Sequence, residues 1–201
     1  MKKLFLITAF TLATMASAFS QGYIDFTFLI GPGITIAAPS NPSSQLPGWF
    51  CGSDYTVQAY MASGAGALEG SLTPVANLKT TFLGNVTSAG GGPTFNGEGL
   101  WAGNPNTDSG YAAGAVDTIQ VRAWYSGGGI TTYEAAALVG VNHGKSSLYN
   151  ITPVTFGTPD PPSMDTIGLQ AFTVSVIIPE PSTFMLTGLA AAALWLFRRR
   201  S

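Results

Sequence analysis

The chain has 201 residues, 46% of them hydrophobic and 9% charged, with one cysteine and one histidine. Its formal net charge is −2, yet five of its eight basic residues lie in the first three and last four positions. Residues 19–178 hold three bases (Lys79, Arg122 and Lys145) against nine acids, a net of −6, which is the wrong sign for a nucleic-acid partner.

The first 18 residues read as a secretory signal helix. Met1-Lys2-Lys3 is a basic start and Leu4 to Met15 an apolar stretch. Ala16-Ser17-Ala18 supplies the small residues, Ala16 and Ala18, that a signal peptidase accepts. Ala18-Phe19-Ser20 is a second such site, so the mature chain is expected to start near Phe19 or Gln21. The implied partners are the Sec export machinery and signal peptidase.

Residues 19–178, about 160 in number, suffice for one domain with its own core. Period-two alternation predicts strands. In 23–30, Ile24, Phe26, Phe28 and Ile30 share a face; in 55–61, Tyr55, Val57, Ala59 and Met61 do. In 118–125, Ile119, Val121, Ala123 and Tyr125 oppose Thr118, Gln120, Arg122 and Trp124; in 169–178, Phe172, Val174, Val176 and Ile178 align. Weaker strand signals lie in 34–37, 72–75, 78–83 and 147–156. Gly-, Pro-, Asn- and Ser-rich stretches at 38–48, 84–114, 126–130 and 157–166 read as loops. Tyr133 to Val139, preceded by Thr131-Thr132 and stopped by Gly140, predicts one short helix. The expected fold is all-β, an antiparallel β-sandwich of jelly-roll-like or immunoglobulin-like kind with that one helix, flanked by the signal helix and a C-terminal transmembrane helix.

Residues 179–201 form a separate unit. Pro179 and Pro181 fix φ and lack N–H donors, so Pro179-Glu180-Pro181 stands extended. Ser182 to Phe197 carries no charge; as a helix it spans roughly 24 Å, short of a ~30 Å hydrocarbon core but tolerable with basic residues snorkelling at its end. Arg198, Arg199 and Arg200 close the chain, with Ser201 last, and place this end in the cytoplasm. An extended Pro-Glu-Pro, a membrane-length apolar run and a basic stop, in that order, resemble the PEP-CTERM sorting signal of exported bacterial proteins. The resemblance implies an exosortase-type membrane transpeptidase as a partner and membrane lipid around residues 182–197. It implies a protein anchored by its C-terminal helix before processing, then found at the cell surface or outside the cell. More weakly, the body is similar to PEP-CTERM proteins in Gln21-Gly22-Tyr23-Ile24-Asp25-Phe26, Tyr55-Thr56-Val57-Gln58-Ala59-Tyr60, Ser71-Leu72-Thr73-Pro74-Val75, Gln120-Val121-Arg122-Ala123-Trp124 and Thr132-Tyr133-Glu134-Ala135-Ala136. That likeness brings no catalytic residues with it.

The residues themselves offer little for catalysis, and no cofactor is expected. His143, in the turn-like Gly140-Val-Asn-His-Gly-Lys145, reads as an exposed loop histidine outside any metal or nucleophile spacing. Cys51, alone, forms no internal disulfide and reads as a small buried residue, an intermolecular bridge or a reactive thiol being the alternatives. Asp54, Glu69, Glu98, Asp108, Asp117 and Glu134 are candidates for a two-carboxylate glycoside hydrolase, against a plain reading as solvated surface acids. Asn104-Pro-Asn-Thr-Asp108 is oxygen-rich but lacks calcium-loop spacing, and Gly90-Gly91-Gly92 and Gly127-Gly128-Gly129 lack the Lys-Ser/Thr of a phosphate loop. Trp49, Trp101 and Trp124 are candidate stacking platforms for sugar rings, against core packing. The expected function is a non-enzymatic surface or extracellular-matrix protein associated with exopolysaccharide. A carbohydrate-binding module is the alternative, and a hydrolase ranks third.

Overall fold

The computed structural model describes residues 20–30, 33–38, 40, 47–84, 99–158 and 160–176. The signal segment 1–18, with Ala16 and Ala18, lies outside them. So do Pro179, Glu180, Pro181, the apolar run 182–197, Arg198, Arg199, Arg200 and Glu98.

Alternation of β-branched and aromatic residues builds the two longest central strands. β3 (Tyr55–Ser63) and β6 (Asp117–Tyr125) pair antiparallel over nine residues, from Tyr55↔Tyr125 to Ser63↔Asp117. β4 (Thr73–Thr81) lies on the other edge of β3, with a register shift between Gln58 and Tyr60. The 72–75 and 78–83 signals thus belong to one strand carrying a bulge. The far edge of β6 is shared: β8 (Tyr149–Ile151) pairs with Asp117–Ile119, and β7 (His143–Lys145) with Arg122–Trp124. Two further pairs complete the sheets. β1 (Gln21–Ile24) and β5 (Thr107–Ala112) are antiparallel. β2 (Thr35–Ile36) and β9 (Thr173–Val174) are parallel, against the expectation of antiparallel pairing throughout.

The alternation sorts side chains as expected. Val57, Ala59 and Met61 of β3 and Ile119, Val121 and Ala123 of β6 join Ile24, Phe26, Phe28, Ile34 and Trp101 in the main core. The opposite face is not left to water. Tyr60 and Trp124 pack there against Tyr133, Ala136 and Val141. Gln58 and Gln120 are consequently buried, and their amides donate to Val75 O (3.1 Å) and Ser146 O (3.0 Å), which offsets their desolvation.

The helix α1 (Tyr133–Val139) has the bounds its sequence predicts. Thr132 Oγ1 accepts the Ala135 N–H at 3.1 Å, Glu134 sits in the first turn, and Gly140 ends the helix in the left-handed region at φ 75°. Seven residues do not sustain a helix alone, so the caps and the Tyr133–Ala136 stripe carry it. Thr132→Ala is expected to lose about 1 kcal/mol, read as a drop of about 2–4 °C in Tm, with Thr132→Ser close to the wild type.

Two predicted strands shrink. In 23–30 the ladder ends at Ile24; Ile30 is 79% exposed, and the Asp165 carboxylate accepts the Leu29 and Ile30 N–H groups, both at 3.0 Å. In 169–178 only Thr173–Val174 pairs as a strand. The 84–114 loop, by contrast, contains β5 and the buried Leu100 and Trp101.

Candidate functional site

Chemistry-bearing side chains converge on the helix-covered face of the β3–β6 ribbon. The pleat of β6 sends Gln120 and Arg122 to this face, and the antiparallel register sets Arg122 opposite Lys145 of β7. The guanidinium lies over two rings, 4.0 Å from the Tyr60 centroid and 5.1 Å from that of Tyr133. Its Nε donates to Gln120 Oε1 at 2.9 Å. Nη1 donates to Glu134 Oε1 at 3.2 Å, and Nη2 lies 3.8 Å from Glu69 Oε1. The Tyr60 hydroxyl donates to Glu134 Oε2 at 3.0 Å, and Lys145 Nζ donates to Glu69 Oε1.

Two acids and two bases thus neutralise one another. The Lys145 hydrogen bond, opposed in part by burial and aided by the charges of Lys145 and Arg122, holds the Glu69 carboxyl below its ordinary range. Burial foremost, then the charge of Glu134, pushes the Tyr60 hydroxyl up, and burial does the same for Tyr133. A glycosidase acid requires a carboxyl held protonated near neutrality; Glu69 is shifted the opposite way. The cluster ties α1 through Glu134 and the 3-10 turn Glu69–Ser71 through Glu69 to one side chain of β6, and Lys145 of β7 joins it through Glu69.

The other predicted residues fall as follows. Trp101 and Trp124 are both 0% exposed and cannot stack on a sugar from outside, which corrects their reading as platforms. Trp101 is packed among Phe26, Phe28 and Phe82, and Trp124 sits under α1 with Nε1 donating to Ile130 O at 3.3 Å. Trp49 is half-buried against the main core. His143 is not an exposed loop residue: it is buried in β7, its Nδ1 2.8 Å from Val141 O and its ring edge-on to Tyr133. Cys51 is fully buried, and burial pushes its thiol well above the ordinary value, so neither an intermolecular bridge nor a reactive thiolate is accessible. Asn104–Asp108 forms the turn into β5, with Thr107 Oγ1 donating to Asn104 O and Asp108 Oδ1 accepting the Gly110 N–H. No group of three or more His, Cys, Asp or Glu among the described residues could hold a metal ion. Asp117 is buried at the start of β6, its carboxyl pushed up by burial despite a backbone hydrogen bond from Gly64.

One surface feature was not anticipated. An open groove of about 330 Å³ is lined by Ser20, Ala113, Thr152, Val154, Thr155 and Thr158, among others. Phe156, next in sequence to the lining residue Thr155, is 72% exposed, and its ring centroid lies 5.1 Å from that of Tyr23. The only signal in the sequence is a large aromatic set among turn residues, Thr155-Phe156-Gly157-Thr158.

Among known families, the PEP-CTERM protein-sorting motif matches residues 178–200. The chain therefore carries the signal of exported proteins that are membrane-anchored before processing and sorted by an exosortase. No curated protein and no solved structure matches the chain. Among the described residues no helix is long and apolar enough to cross a membrane, and the matched segment lies outside them.

Proposed function

We propose that the body, residues 19–178, is a non-enzymatic cell-surface or extracellular-matrix protein that associates with exopolysaccharide once it has been exported. The sorting motif at 178–200 carries the reading. The first 18 residues act as the signal that Sec and signal peptidase recognise. Residues 182–197 act as a temporary lipid-embedded anchor, and Pro179-Glu180-Pro181 is the extended element that an exosortase grips. The most ordered charge cluster supports a structural body, because its acids and bases satisfy one another rather than pointing into a cleft. In this reading the β1–β5 and β2–β9 pairs form a second layer over the five-stranded sheet, a sandwich around the core that all three share.

Changing Pro179 and Pro181 together to Ala is expected to leave the tail attached and the protein in the membrane. Mass spectrometry of both ends, with fractionation of cells and medium, reads this directly. A double variant of unchanged mature size and location would refute sorting through this element.

A further inference from the structure

We infer that the groove lined by Thr152, Val154, Thr155 and Thr158 binds a neutral polysaccharide, with one sugar ring stacked on the exposed Phe156 that follows Thr155 in the chain. The inference rests on the matrix reading above and names its ligand class. Three observations converge on it. The first is the ledge. Phe156 presents a largely bare ring, braced by Tyr23, and Tyr23 is itself fixed to the groove wall by a paired bridge to Val154 (N–H···O distances of 2.7 and 3.0 Å). A rigid exposed aromatic offers apolar area for the C–H face of a sugar at little conformational entropy.

The second is the lining. Thr152 and Thr155 bring hydroxyls that can both donate and accept, as sugar hydroxyls require, and Thr158, whose proton goes to Thr155 O, brings an acceptor. Thr155 and Thr158 are already set by their mutual contact at 3.3 Å and by the bond from Thr158 Oγ1 to Thr155 O at 2.7 Å. The groove is at the lower end of the size range of small-ligand sites, suited to a short stretch of a chain that runs on into solvent.

The third is charge. Among the described residues no charged one lines the groove. The described cations are engaged elsewhere: Arg122 and Lys145 with Glu69 and Glu134, Lys79 with Thr131 O at 2.7 Å and the Trp124 face. With a body of net charge −6, an acidic polysaccharide would be repelled.

Affinity electrophoresis of the full chain in a zwitterionic, sugar-free detergent tests this against a neutral glucan, a neutral galactomannan and a polyuronate. At least one neutral polymer should retard the protein and the polyuronate should not. Phe156→Ala, at an exposed position that leaves folding intact, should weaken retardation about tenfold, the equivalent of one lost stacking contact. Indifference to both neutral polymers, retardation by the polyuronate, or an unchanged Phe156→Ala variant overturns the inference. Retention of the exported wild type and of Phe156→Ala in the cell's own exopolysaccharide fraction, measured separately, distinguishes a failed groove from a failed matrix reading: equal retention of both overturns the groove alone, and no retention of either overturns the matrix reading.

Discussion

Trp101→Ala is expected to destabilise the protein by about 3–5 kcal/mol, the range for deleting a large aromatic from a core. Trp101 is 0% exposed, with ring centroids 5.0 Å from Phe28 and 5.6 Å from both Phe26 and Phe82. Its backbone exchanges hydrogen bonds with Phe28 at 3.0 and 3.1 Å, so the side chain is clamped where it packs and its neighbours have little freedom to fill the void. Differential scanning calorimetry should show Tm lower by about 6–20 °C. Trp101→Phe separates volume from polarity. The indole Nε1 is buried without a hydrogen-bond partner among the described residues, an arrangement that itself costs about 1–3 kcal/mol. Removing that N–H offsets part of the lost ring, and the loss should fall well below that of alanine. Equal losses for the two variants would contradict this account of the site.

Elements whose order is local were legible. β3 and β6 alternate over nine residues, and α1 is bracketed by Thr132 and Gly140, so pattern and caps agree with the packing. β7 was not legible, because Asn142-His-Gly-Lys145 has the composition of a turn. Its glycine serves a different purpose: a Cβ on Gly144 would lie 2.2 Å from Thr173 O, so only glycine lets β9 approach there. β5 was hidden for a similar reason. Thr107-Asp-Ser-Gly-Tyr-Ala112 is polar, yet it pairs with β1, and the buried Ser109 hydroxyl donates to Gly22 O at 2.7 Å. Trp124 fell on the face that alternation marks as polar, with Arg122 and Gln120. That α1 covers this face is tertiary information, and it decides that Trp124 is core rather than platform. The acids Glu69 and Glu134 were visible one by one; that a single guanidinium gathers both depends on strand register and on a 3-10 turn far from β6 in sequence.

That gathering makes Arg122 the second position of large effect. Arg122→Ala removes the partner of two carboxylates and the cation that lies over two tyrosine rings. The Arg122 side chain is 11% exposed, which favours a large loss, but Glu69 and Glu134 are 42% and 59% exposed, which screens the charge component. The expected loss is therefore about 2–3 kcal/mol rather than the full 3–5 kcal/mol of a dry ion pair. Arg122→Lys should recover little, since an ammonium neither forks between the two acids nor stacks on the rings as a plane. The pH dependence separates the two components. Glu69 has its folded-state pKa lowered, by the Lys145 hydrogen bond first and by Arg122 to a smaller extent. Its contribution is complete above its unfolded value of 4.5 and is lost as pH falls through the lower folded value. The stability gap between wild type and Arg122→Ala should thus be widest at about pH 7 and narrow by about pH 3, where carboxylates protonate and the cation–ring contacts with Tyr60 and Tyr133 persist. Urea unfolding at the two pH values measures both gaps. A gap that does not narrow in acid would assign the role of Arg122 to packing alone and remove its ion pairs with Glu69 and Glu134 from the account of how the Glu69 turn and α1 are held on the sheet.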